Sequence, residues 1–558
     1  MNKATIGAFA GMINLSSQGF TQSLRPALEV CSYSSLQKTE LFTDEAIQLG
    51  CHYVGLDSPT FYIDNSVVIF GNAVLFNLGN LGIDGDGSPL EILAQLYQQK
   101  GSRFLNGVDG QFSFALWDRR RSRLILARDS VGAKPLFFSR STKCLAFAND
   151  TRALCKLFPE IRPSSAALRQ YLIFNYPFSP GSYYEGIETL PPGRVLILEE
   201  NRLEAVDYQH SSRTGSYSEV LSDVLSEQMK AGDHIAFHLS GGVDTSLLCH
   251  AAKHLQVDSL ETITLFYDTS HEDVKYSQIV AEEVKSSHHE IAILPEEYTS
   301  RFYHLIQHLH SPIMAIGVPT FWFLAREASK QKIDTLVSGI GGDHPFIGWN
   351  RQPKMISPES LFEVCANVST DTWKRFALPK VCEPVLERLA NEFSDIFHKE
   401  MKSDQAIEKF FAQHFLQEHL RMAEQTHTSW GITVLNPFLD ESLMEIGIDC
   451  VKTLRQAKDK KFLRDLLRRY GSKAADRSGK DQMAISLYEF RALFRDEMLR
   501  EFALDHYRIP GLDYQAISDF ALSTEQATKS DLRFLYAVFN VHLWLKSIDK
   551  PCPSLLEY

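Results

Sequence analysis

This sequence has no apolar run approaching the roughly 18 to 20 residues that a membrane-spanning helix needs, so no membrane span is expected. It has no C-x-x-C and no paired cysteine spacing; its nine cysteines are scattered from Cys31 to Cys552. That pattern excludes a disulfide framework and a zinc site, and predicts reduced thiols in a cytoplasmic protein. Basic charge is in deficit. Lys and Arg number 57 against 69 Asp and Glu, a formal charge of -12, which excludes a general nucleic-acid binder. No internal repeat or low-complexity segment occurs. The mildly apolar start, Met1 to Ile13, lacks a small-residue cleavage site and reads as a first strand, not a signal peptide.

What is present is a 558-residue chain, 44% hydrophobic and 23% charged, globular in composition and too long for one ordinary core. The first part reads as β-rich. Val67 to Phe76 is apolar, and Gln111 to Trp117 alternates like a half-buried strand with Phe112, Phe114 and Leu116 on one face. Short strands follow at Arg123 to Ala127, Pro135 to Phe138, Cys144 to Ala148 and Arg194 to Leu198. The pattern stops near Tyr208, and Ser211 to Ser216 is small and polar, which divides the chain into domains 1–210 and 211–558. Beyond the boundary, strands alternate with helices: His234 to Leu239, Thr245 to Leu255, Leu260 to Tyr267, then Asp334 to Val337. Such βαβ alternation predicts a parallel sheet covered by helices. From about Pro358 the chain reads as mostly helical, as at Asp404 to Glu424 and Lys460 to Tyr470.

Leu239-Ser240-Gly241-Gly242-Val243-Asp244-Thr245-Ser246 lies where a strand meets a helix. Two glycines let backbone approach a phosphate, and the helix N-terminus offers unpaired N–H groups. Ser240, Thr245 and Ser246 add hydroxyls. Asp244 would repel phosphates unless a cation lay between them, so it reads as a Mg²⁺ ligand. No Lys completes a Walker A loop; the segment fits the S-G-G-x-D-[ST] pattern of ATP pyrophosphatases. A second strand leads into Ser338-Gly339-Ile340-Gly341-Gly342-Asp343-His344. At the end of a neighbouring strand, this loop would face the first and supply Asp343 as a second carboxylate for magnesium.

Together these segments resemble the asparagine synthetase superfamily. The likeness extends to Asp109–Asp118, Ala127–Leu136, Glu272–Tyr276, Pro437–Asp440 and Lys461–Arg464. It implies an α/β two-domain fold: an N-terminal glutaminase-like (Ntn-type) αββα sandwich, and a C-terminal ATP-pyrophosphatase (HUP-like) parallel sheet with helical additions. It also implies use of ATP and Mg²⁺, with Ser240, Gly241, Gly242, Asp244, Thr245, Ser246, Leu265, Ser338 and Gly339 around the nucleotide. In this superfamily a Lys after the K-x-x-L-R helix stabilises the adenylate. Lys480, in Arg477-Ser478-Gly479-Lys480, stands at that place. Arg477 and Lys473 are alternatives.

The departures narrow the expectation. Glutamine-dependent members carry Cys after the initiator Met; this sequence begins Met1-Asn2-Lys3, its nearest cysteine is Cys31, and the R-G-P-D segment is absent. A sandwich without that nucleophile is expected not to make ammonia. Ile340 stands where asparagine synthetases have Glu and β-lactam synthetases Tyr, and His344 stands where the former have Glu. These departures are similar to lasso-peptide cyclases, which join a peptide's N-terminal amine to an Asp or Glu side chain. That likeness implies a precursor core peptide as substrate, with a leader-binding protein and a leader protease as partners. A β-lactam-synthetase-like enzyme, an ammonia-dependent asparagine synthetase and a catalytically dead regulatory protein are the competing readings. His304 and His308, four apart but without H-E-x-x-H, read as an exposed helix face; Lys452 to Lys473 reads as a solvated basic helix. Trp322, Trp349 and Trp430 read as core aromatics.

Overall fold

The computed structural model describes residues 7–15, 20, 23–31, 38–53, 60–82, 87–256, 259–268, 272–343, 358–400, 406–454, 460–477, 485–523 and 527–556. The β-rich first part forms strands β1 (Gly7–Asn14), β2 (Lys38–Thr43), β3 (Ile47–Tyr53), β4 (Phe61–Ile63), β5 (Val67–Leu75), β6 (Gly110–Asp118), β7 (Arg123–Arg128), β8 (Phe137–Arg140), β9 (Cys144–Ala148), β10 (Glu188–Thr189), β11 (Arg194–Glu199) and β12 (Arg202–Asp207). They pair antiparallel into two six-stranded sheets, ordered β10-β8-β9-β1-β3-β2 and β12-β11-β7-β6-β5-β4.

The inner faces of the two sheets share one core: Phe9, Leu49 and Phe147 from the first meet Val68, Phe70 and Trp117 from the second. The outer face of the second sheet is covered by the helix Pro89–Lys100, through Ile92, Leu93 and Leu96. The other outer face carries the helices Arg25–Glu29 and Thr151–Leu157 against Ala8, Ala10 and Met12. This layering corrects the half-buried reading of β6. Phe112, Phe114 and Leu116 face the helical layer while Ala115 and Trp117 face the opposite sheet. A central strand between two covered faces loses its solvent side.

The second part contributes β13 (Ile235–His238), β14 (Glu261–Phe266), β15 (Ser287–Ala292), β16 (Thr335–Val337) and β17 (Thr433–Leu435). All run parallel, in the order β15-β14-β13-β16-β17. The chain builds outward from β13 to β15, then returns to β13's other side to place β16. The strand order therefore reverses between β13 and β16, and loops there part to leave a crevice at the strands' carboxyl ends. The expected helix from Asp404 to Glu424 is found as Ala406–Phe410 and Leu416–Thr428, with a π-turn at Phe411–Phe415 between them. The wider turn sets His414 against Phe178 of the first part, ring centroids 5.3 Å apart.

The core does not divide where the sequence pattern changes. Tyr171 and Phe174, on the helix Ser165–Phe174, belong to one cluster with Phe302, Phe393, Phe490 and Phe539 of the second part. Polar anchors accompany it: Tyr171 Oη donates to Ile313 O at 2.7 Å, Trp544 Nε1 to Tyr184 Oη at 3.1 Å, and Arg169 Nη1 to Leu555 O at 2.9 Å. Arg213, after β12, reaches Asp109, Glu227 and Asp440 together. No described helix is long and apolar enough to cross a membrane.

Candidate active site

The glycine loop after β13 has the shape its residues dictate. Gly241 has φ +64°, and a Cβ there would stand 2.5 Å from the carbonyl oxygen of Asp273. Gly242 is extended and caps the helix Val243–His254, whose first turn carries Asp244. The hydroxyls of Ser240 and Thr245 lie 3.1 Å apart, and Ser240 N–H donates to Thr245 Oγ1 at 3.1 Å, so both brace the loop. Ser246 is fully buried, and its hydroxyl has no partner among the described residues. Leu265 is also fully buried on β14, which leaves only its backbone to meet a ligand.

The loop after β16 lies directly against the first. Ser338 N–H donates to Leu435 O on β17 at 2.9 Å. A Cβ on Gly339 would stand 2.8 Å from Thr245 Cγ2, and one on Gly342 would stand 2.9 Å from Asp244 Cγ. Only glycines allow two loops to close to this distance. Ile340 packs with Val131, Leu416, Leu420, Leu439 and Met444 in an apolar patch.

Asp244 and Asp343 are brought to one point, where both carboxylates pair with the ammonium of Lys460. Lys460 is buried, has φ +54° and immediately precedes the helix Lys461–Arg469. Burial alone would lower its pKa, but the two carboxylates outweigh that and raise it. The same donor set fits a hard divalent cation, which takes one or two protein carboxylates and completes its shell with phosphate and water oxygens. Asp244 Oδ1 is buried without a partner among the described residues, an acceptor of that kind. Nowhere among the described residues do three or more His, Cys, Asp or Glu gather as a metal cluster.

Arg477 is committed to this architecture. Its Nη1 donates to Gly241 O at 2.9 Å, Nη2 pairs with Asp273, and the guanidinium lies 5.3 Å over the Tyr276 ring. It pins the first loop to the helix Glu272–Val284. Lys473 is exposed on a short turn, its N–H donating to Glu283 Oε1 at 2.9 Å. Lys480, His344, Trp349 and position 2 lie outside the described residues. Cys31 is buried, and burial pushes its thiol pKa well up.

Two expectations are corrected. His308 is not on an exposed face: it is buried, and Nε2 lies 3.1 Å from Gln425 O on the neighbouring helix. The basic stretch is not simply solvated, since Lys460 is drawn into the crevice. Sequence reasoning passed over Lys460; its signal was the position four before Arg464, which makes it the first residue of K-x-x-L-R.

The Asparagine synthase family model matches residues 216–546, and a Glutamine amidotransferase domain model matches residues 85–209. The chain belongs to the asparagine synthase family. Among curated relatives, an asparagine synthetase [glutamine-hydrolyzing] 1 of Bacillus subtilis is 22% identical over 398 residues, 65% of this chain and 62% of that one. An asparagine synthetase [glutamine-hydrolyzing] of Zea mays is 26% identical over 422 residues, 70% of this chain and 60% of that one. The match thus spans about three fifths of each relative's length. Against solved structures the overlays are weak: a glutamine phosphoribosylpyrophosphate amidotransferase from B. subtilis gives a TM-score of 0.26 at 13% identity, covering 51% of this chain and 65% of that one.

Proposed function

We propose that this chain uses ATP to activate a carboxylate as an acyl-adenylate and then forms an amide bond, with AMP and pyrophosphate released. The observation that carries the reading is the convergence of Asp244 and Asp343 on one cationic point between two touching glycine loops. Magnesium held there would neutralise the pyrophosphate leaving group. The protein's own groups do the rest: the helix N-terminus at Val243 receives phosphate oxygens, Lys460 supplies a movable positive charge, and Lys480 stabilises charge at the reacting centre.

The substrate best suited to this site is a peptide that supplies both amine and carboxylate, closed as a macrolactam through an Asp or Glu side chain. Ile340 is sealed in an apolar patch, so it offers nothing to bind ammonia, whereas a tethered amine arrives at high effective concentration. The precursor peptide would come with a leader-binding protein and a leader protease that frees its N-terminus, in the cytoplasm. The names of the relatives favour a second reading, asparagine formation from aspartate. Incubation with ATP, Mg²⁺ and a candidate precursor plus those partners, followed by mass spectrometry, separates the two. AMP together with a peptide lighter by one water supports the first reading. ADP and phosphate as products would sink adenylation, and asparagine made with the peptide untouched would favour the second.

A further inference from the structure

An amine attacking an acyl-adenylate must lose a proton, and Ile340 cannot take it. The acids around the strand ends are already engaged. Asp244 and Asp343 hold Lys460, and Asp273 holds Arg477. Glu424 pairs with Lys134 at 2.7 Å and accepts from Thr428 Oγ1 at 3.2 Å.

One titratable side chain is not engaged. His238 is the last residue of β13, two positions before Ser240. Strand alternation turns it to the same face as Ala236, whose core cluster includes Leu265 and Leu336, while Phe237 and Leu239 pack on the opposite face. Its Nε2 is shielded and has no hydrogen-bond partner among the described residues. The ring nevertheless keeps some accessible surface, as a group at a crevice floor does. Burial holds it neutral, pulling its pKa down to about 4. An unpartnered neutral imidazole at the end of the switch-point strand is a lone pair with no structural duty.

His427, on the helix Leu416–Thr428, faces the same region. Its Nδ1 lies 2.7 Å from Ala423 O, which makes Nδ1 the donor and leaves Nε2 as acceptor. Burial lowers its pKa to about 4, with His238 and Lys134 adding to the effect. The two rings therefore oppose each other's protonation, and Lys134 and Glu424 beside them offset one another in charge.

We infer that His238 is the base that takes the proton of the attacking amine. This inference rests on the adenylation reading above. In the step, the amine lone pair forms the C–N bond to the acyl carbon, and the bond from that carbon to the AMP oxygen breaks. AMP leaves with the electron pair, and the nitrogen's proton passes to His238 Nε2 and then to solvent. A positioned base of this kind contributes on the order of 10²- to 10⁴-fold.

The test separates the two half-reactions in the full chain. Exchange of labelled pyrophosphate into ATP reports activation, using whichever acid supports it among aspartate and candidate precursor peptides. Amide formation from an ordinary amine reports the second step. Hydroxylamine, a nucleophile that needs little help in losing its proton, reports the same step without a base. His238→Gln and His238→Asn are expected to keep exchange near the parent rate, lose amide formation at least 100-fold, and retain hydroxamate formation within a few-fold. Intact amide formation in both variants overturns the role of His238 alone. Loss of exchange along with amide formation would make His238 a support of the loop and also overturns it. No exchange with any acid in the parent protein removes the adenylation reading, and this inference with it.

Discussion

Gly342 lies against the carboxylate of Asp244: a Cβ on the glycine would stand 2.9 Å from both Asp244 Cγ and Oδ1. The atoms in the way are the end of a side chain, so an added methyl would push the carboxylate aside without unfolding the loop. Gly342→Ala is expected to lower turnover about 100-fold, the scale of an ångström-sized misplacement, while the melting temperature moves little. A variant with unchanged turnover would show that Asp244 need not hold its observed position.

Asp244→Asn and Asp343→Asn should each nearly abolish turnover at saturating Mg²⁺, since each removes an anionic oxygen from the point of convergence. Steady-state kinetics over a Mg²⁺ titration measures this. A near-normal rate in either variant would remove that residue from the metal site.

Lys460→Met leaves two carboxylates facing one another with no counter-charge, an arrangement that destabilises. Without divalent cation the variant should melt below the parent. Added Mg²⁺ should raise its melting temperature more than the parent's, because no ammonium competes for the same oxygens. Equal shifts in both proteins would separate Lys460 from the metal site.

Arg477→Ala and Lys480→Ala should fail differently. The first removes the pin between Gly241 and Asp273 and should weaken nucleotide binding and lower stability. The second should leave nucleotide binding intact and cut the rate by about two to three orders of magnitude. Calorimetric titration with ATP beside turnover tells them apart; an unchanged rate in Lys480→Ala would move the role to another cation.

Glu441, at the junction of the two parts, carries a carboxyl raised to about 7 by burial first, with Asp440, Glu445 and Asp109 adding repulsion. The folded chain therefore binds more protons here than the unfolded chain between about pH 4.5 and 7. Its contribution is fully present below the unfolded value, falls as pH rises toward 7, and is flat above. Glu441→Gln should flatten that part of the stability curve and be more stable at pH 8 by about 1 to 3 kcal/mol. Denaturant melts at pH 5 and pH 8 measure it, and a variant less stable at pH 8 would reverse the sign.

The glycine loops were legible in the sequence because their chemistry is local: backbone freedom, a strand before and a helix after fall within a few consecutive residues. The partnership of Lys460 was not, because it joins the segment before a late helix to two loops far earlier in the chain. Composition assigned that lysine to a basic surface. His238 was passed over for a related reason: a histidine inside a strand reads as a strand residue until the neighbours on its face are known. The both-sided burial of β6 depended on a second sheet whose position no strand pattern encodes. Arg477 was read as a free cation because its partners, a carbonyl and a carboxylate, leave no mark on its own segment.

The cluster joining Tyr171 and Phe174 to Phe302, Phe393, Phe490 and Phe539 bears on how such a chain can change over evolutionary time. A first domain relieved of its own chemistry would ordinarily erode, since nothing would hold its sequence in place. Here its last helix is part of the wall against which the synthetase half condenses, so deleting it would expose the aromatic interior of its neighbour. Selection on the second half thereby falls on the first as well, and the older module persists as scaffolding for the younger task.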